Sequence, residues 1–151
     1  MKVYISGKIG EEVISDATRA KFARAERMLM AKWYRVFNPA DPFFNRCIVN
    51  AARRAWDRDK EQAASKGDWE WDKPLYDYIL LEDLNTLHGC DAIYMLADWE
   101  ESDGANVELD FARATGKRIF WEREEDAQLN SEDFNNYEDA WLPIDEKEGE
   151  V

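Results

Sequence analysis

Two carboxylates fall where a helix would be expected to bury only hydrocarbon. In "ESDGANVELDFARATGKRIFW", running from Glu101 to Trp121, the residues Ala105, Val107, Leu109, Phe111, Ala112 and Ala114 predict a helix that ends at Gly116. At about 100° per residue, Asn106, Asp110, Arg113 and Lys117 gather on one polar face, and Glu108 lies nearly opposite, between Phe111 and Ala112. A second helix is expected from Leu75 to about His88, with Tyr76, Leu80, Leu84 and Leu87 as its apolar stripe and Asp83 within that stripe. Singly, each acid has an ordinary explanation: a salt bridge or cap for Asp83, a helix-dipole contact for Glu108. Both beside one ligand-binding edge suggest chemistry. A buried, unpaired carboxylate is costly and either protonates or finds a partner. A pair of such groups can cleave a glycosidic bond: one attacks or stabilises the sugar carbon while the other assists the leaving group. A partly desolvated acid also has the surroundings that raise its pKa towards neutrality.

The elements that would position these acids alternate strand and helix. Lys2–Ser6 reads as a short buried strand broken by Gly7 and Gly10, and Phe22, Ala25, Leu29 and Trp33 mark a helix from about Asp16 to Trp33. Arg35–Phe37 is a second strand, stopped by Asn38-Pro39. "DAIYML", Asp91–Leu96, and Arg118–Trp121 are two more. Between them, residues 41–73 read as an insertion, a helix followed by a Gly/Trp-rich loop. Residues 122–151 form an acidic tail, in which Phe134, Tyr137 and Trp141 could dock a short helix and "DEKEGEV" is expected to fray. The pattern predicts a single α/β domain over 1–151: a three-layer, Rossmann-like (flavodoxin-like) fold with a mainly parallel sheet. Ligands bind such sheets beyond the carboxyl ends of the strands. That directs attention to Ser6–Glu12 and Ala97–Ala105, glycine- and serine-bearing loops that lead into helices, where backbone N–H groups can approach a phosphate.

Composition narrows the classes. The 151 residues carry a formal net charge of −13, which argues against general nucleic-acid binding because that needs basic patches. No run approaches the roughly 18 apolar residues of a membrane span. The N-terminal MKVYISG lacks the apolar stretch of a signal peptide. Two cysteines, Cys47 and Cys90, make no disulfide framework, so a reducing cytoplasm is expected. The single histidine, His88, has no Cys or His at metal-ligand spacing, and no metal or cofactor is expected.

"VYISG" at the start, then Asp83, "CDAIYML" and Ser102-x-Gly104-x-x-x-Glu108, resemble the nucleoside 2-deoxyribosyltransferase superfamily. The likeness extends to its 2'-deoxynucleoside 5'-phosphate N-hydrolase branch and to small phage and bacterial relatives. It covers roughly Met1–Asn38 and Leu75–Trp121, outside the insertion and the tail. The resemblance implies that Glu108 is the nucleophile at the anomeric carbon, that Asp83, eight residues before Asp91, assists the departing base, and that Tyr4 lines the sugar site. It also implies a sugar or phosphate contact at Ser102 and a homodimer or higher homo-oligomer, and the two glycine- and serine-bearing loops add Ser6, Gly7, Lys8 and Gly104 as expected substrate contacts. Where the hydrolases carry a phosphate-binding Arg in the first loop this chain has Gly10, with Lys8 as a neighbouring cation. The stretch from Asp91 to Glu108 is one residue longer than in the hydrolase pattern.

Trp99, in one of the two ligand-side loops, is expected to contact ligand. Trp69 and Trp71 could stack on a base, but packing of the inserted loop is the favoured role. "ARRAWDRDK" reads as a solvated basic helix face, with a phosphate clamp as the alternative. Glu100, Glu101 and Asp103 read as a solvated acidic loop rather than a cation site. The expected function is N-glycosidic cleavage, by hydrolysis or base transfer, of a nucleotide such as a 2'-deoxynucleoside 5'-monophosphate. The rival readings are a protein that binds a nucleotide derivative without turnover, and an acidic interaction protein or DNA mimic.

Overall fold

The computed structural model describes residues 1–9 and 13–123. Gly10 and the acidic tail beyond 123, with the short helix expected there, lie outside these residues. Four strands, β1 (Lys2–Ser6), β2 (Arg35–Phe37), β3 (Ala92–Met95) and β4 (Arg118–Trp121), form one sheet in the order β2-β1-β3-β4. Every pairing is parallel. Parallel neighbours need crossovers, and helices supply them: α1 (Asp16–Ala31), α2 (Pro42–Ser65), α3 (Leu75–His88) and α4 (Asp103–Ala114). The chain is thus a three-layer α/β Rossmann-like domain over the residues described.

Strand alternation assigns the two faces of the sheet. Val3, Ile5, Ala92 and Tyr94 face α1 and join Phe22, Ala25, Met28 and Leu29 in one core. Tyr4, Ile93 and Met95 face the other way, into a second core with Leu87 of α3 and Ala105, Leu109 and Ala112 of α4. Ser6 continues the Tyr4 face by the same period of two.

The order of the strands reverses at β1. From β1 the chain crosses to β2 on one side, and the next strand, β3, pairs on the other. The carboxyl ends of β1 and β3 therefore border the crevice in which open α/β sheets hold ligands.

The helices depart from the sequence pattern in one respect. Of the expected α3 stripe only Leu87 is buried in the core, whereas Tyr76 is 53% exposed and Tyr78 is buried instead. The reason is α2. It packs along α3, and the Tyr78 hydroxyl donates to Asp59 Oδ2 at 2.7 Å across that contact. So α3 has apolar neighbours on two sides, which a single stripe cannot describe. The start of α2 is well marked: Asp41 caps it by accepting from the Phe44 N–H at 2.9 Å, and Pro42 occupies the first turn.

Candidate functional site

A cavity of about 520 Å³ opens over the carboxyl ends of β1 and β3, a volume within the range of small-molecule sites. Tyr4 and Gly7 supply its sheet side, Ser102, Gly104, Ala105 and Glu108 the α4 side, and Tyr76, Ile79, Leu80 and Asp83 the α3 side. Its outer wall is α2, through Asn45, Ile48, Val49 and Arg53. The inserted segment is therefore part of the cavity.

Glu108 is only 6% exposed. Its Oε1 accepts a hydrogen bond from Ser6 Oγ at 2.9 Å, while its Oε2 is buried without a hydrogen-bond partner. Burial pushes the carboxyl up to about 7, opposed by the nearby Tyr4 hydroxyl and then by the Ser6 hydrogen bond. The Tyr4 phenol lies beside Glu108 without a hydrogen bond to it, so Oε2 is buried and left unpaired. Tyr4 itself is raised well above the usual phenol range, by burial first and by the charge of Glu108 next, and stays a proton donor.

Asp83 is pushed up to about 8, first by desolvation and then by the charges of Glu108 and Glu82. The charge of Glu108 thus acts on Asp83 across one cavity. At neutral pH the order of these values leaves Asp83 protonated while Glu108 ionises first. One group can then supply a proton and the other an electron pair.

Local structure explains the precision of the arrangement. Ser102 caps α4 by accepting from the Ala105 N–H at 3.1 Å, and Glu108 follows in the second turn. The Asn106 amide donates to the carbonyl oxygens of Ser102, Trp99 and Glu100, which holds the preceding loop against the helix. Gly104 leaves room for Tyr76: a Cβ there would come within 3.0 Å of the Tyr76 hydroxyl. Gly7 sits so close to β3 that a Cβ would meet Leu96 Cδ1 at 2.7 Å. Lys21 bonds both Asp98 and the Lys8 carbonyl, tying the loop after β1 to the loop after β3.

Of the residues singled out by sequence, Tyr4, Gly7, Asp83, Ser102, Gly104 and Glu108 line the cavity together. Ser6 is fully buried behind them, where it orients Glu108 rather than facing a ligand. Two lie elsewhere. Lys8 is exposed, with its Nζ 3.7 Å from Glu101 Oε2. Trp99 packs on Trp121, with ring centroids 5.6 Å apart. In the inserted loop, Trp71 packs against Trp56, whose indole N–H donates to the Lys73 carbonyl at 2.7 Å, whereas Trp69 is 83% exposed. His88 packs edge-on against Phe111.

Sequence reasoning kept an α2 contribution only as the alternative for "ARRAWDRDK", and it missed Asn45, Ile48, Val49 and Tyr76. The signal for α2 was available: Asn45, Ile48, Val49 and Arg53 recur at helical spacing and share one face. Among the described residues no group of His, Cys, Asp and Glu is arranged to hold a metal ion, and no helix is long and apolar enough to cross a membrane.

Residues 70–121 match the family described as Domain of unknown function (DUF4406), which is related to nucleoside 2-deoxyribosyltransferase-like proteins. The match takes in α3, β3, α4 and β4, and with them Asp83, Ser102, Gly104 and Glu108. No curated protein and no solved structure matches the chain.

Proposed function

We propose that this protein cleaves the N-glycosidic bond of a nucleotide, with a 2'-deoxynucleoside 5'-monophosphate as the substrate. The observation that carries the reading is the Glu108 carboxylate, buried, held by Ser6 through one oxygen and without a partner at the other, on the wall of a cavity shared with Asp83. In the first step the Glu108 carboxylate bonds to C1' as the C1'–N bond breaks, and the departing base takes the proton of Asp83. In the second, water attacks C1' and releases Glu108, and its proton returns to Asp83. A second base in place of water gives transfer instead of hydrolysis. Tyr4, beside Glu108, offers its hydroxyl to the sugar. The apolar wall of Ile48, Val49, Ile79 and Leu80 suits a flat heterocycle and excludes water.

The test is direct. Purified protein is incubated with each deoxynucleoside and ribonucleoside 5'-monophosphate and each free nucleoside, and released base is followed by chromatography. Base release that disappears in Glu108→Gln is the expected result. Binding of a nucleotide without release, by wild type and Glu108→Gln alike, would instead mark the cavity as a sensor's.

A further inference from the structure

The basic run on α2 divides in a way that the sequence does not show. Arg58 lies against Asp59 at 3.9 Å, and the Lys60 ammonium stands 4.7 Å from the centre of the Trp56 ring. Arg53 alone of this run reaches the cavity, where it is the one cationic side chain among the described lining residues. It has no ion-pair or hydrogen-bond partner among the described residues. Nor does it serve the two acids: burial and then Glu108 and Glu82 act on Asp83, and burial and then Tyr4 and Ser6 on Glu108, with no contribution from Arg53.

Arg53 is exposed at the rim of a cavity that already holds two acids, where water solvates its guanidinium until an anionic ligand group takes its place. Its planar fork matches phosphate in a bidentate way that a lysine cannot. The glycine turns carry no competing cation into the cavity, because Lys8 points to Glu101. Asn45, Val49 and Arg53 stand on successive turns of α2, so the cation is displaced by about 12 Å along the wall from the amide.

We propose that Arg53 is a specificity-determining residue: it binds the phosphomonoester of the substrate from the inserted helix, and so makes the site select nucleotides over nucleosides. The identity of that anionic group rests on the glycosidic reading above; the presence of an anion subsite at Arg53 does not.

Two measurements test it on the full chain. The first is the ratio of kcat/KM for a deoxynucleoside 5'-monophosphate to that for its nucleoside, in wild type, Arg53→Ala, Arg53→Lys and Arg54→Ala. Loss of a charged hydrogen-bonding partner predicts that Arg53→Ala lowers the ratio by about 10- to 100-fold, mainly through KM. Arg53→Lys should recover part of it, and Arg54→Ala, which does not line the cavity, none of the loss. The second is calorimetric binding of the same monophosphates and of inorganic phosphate. A wild type without preference for the phosphate, or an Arg53→Ala variant that keeps it, overturns the inference and leaves the glycosidic reading standing. No base release from any compound, with monophosphate binding that still depends on Arg53, keeps the inference and removes the glycosidic reading. If wild type neither turns over nor binds any of these probes, both fall.

Discussion

Glu108 and Asp83 show how burial converts two ordinary acids into an acid–base pair. Desolvation raises both, Glu108 to about 7 and Asp83 to about 8. Turnover through an ionised Glu108 and a protonated Asp83 then has a narrow optimum, rising through about pH 7 and falling above about pH 8 in a kcat/KM profile. In Asp83→Asn the rate should drop by roughly 10²- to 10⁴-fold and the alkaline limb should vanish. An alkaline limb that survives would assign it to another group. The same shift has a thermodynamic face. A carboxyl whose folded pKa exceeds its unfolded value stabilises the fold below the unfolded value, and that contribution is lost as pH rises through the folded one. For Glu108 the window runs from about 4.5 to about 7. Glu108→Gln should therefore melt roughly 5 °C above wild type at pH 8.5, with the gap closing near pH 5. Calorimetric melts at the two pH values check the sign: a variant less stable at pH 8.5 would mean that Glu108 has a compensating partner.

At the scale of elements, the site depends on two strand ends held close enough for a loop, a helix cap and a carboxylate to meet. Gly7 is the tightest point, since a Cβ there would lie 2.7 and 2.8 Å from Leu96. Gly7→Ala should cost about 1–3 kcal/mol in urea denaturation and lower turnover as well, because the strain spreads to Ser6 and so to Glu108. Unchanged stability would show that the loop yields freely. The sequence made this level largely legible. The inner strands were legible as short unbroken apolar runs, because the sheet is covered on both faces there, and the α4 helix and the out-of-place acids followed from helical period. The illegible part was α2, because a helix that packs on another helix rather than on the sheet buries few residues, here Ile48, Ala52 and Ala63. Its polar, arginine-rich sequence therefore read as a solvated face. Trp99 misled for the opposite reason: its place in a ligand-side loop was right, but an indole beside Trp121 gains more from packing on it than from facing solvent.

Across the whole molecule, a net charge of −13 acts on any anionic substrate before it reaches the cavity. Repulsion of a nucleotide extends over about 30 Å at 0.01 M salt but only about 8 Å at 0.15 M. A contact with Arg53 at bonding distance lies well inside either length and is weakened far less. Encounter and binding should therefore respond differently to salt. Raising the salt from 0.01 to 0.15 M should increase kcat/KM for a nucleoside monophosphate several-fold, as long-range repulsion is screened, and leave that for an uncharged nucleoside nearly flat. Removing the local cation in Arg53→Ala leaves the acidic field unopposed near the rim, so the variant should rise more steeply with salt than wild type while starting from a lower value. Initial rates at limiting substrate across that salt range decide the matter. A wild-type rate that falls with salt would mean that the field at the cavity mouth is locally attractive, set by Arg53 and its basic neighbours on α2 rather than by the charge of the whole chain.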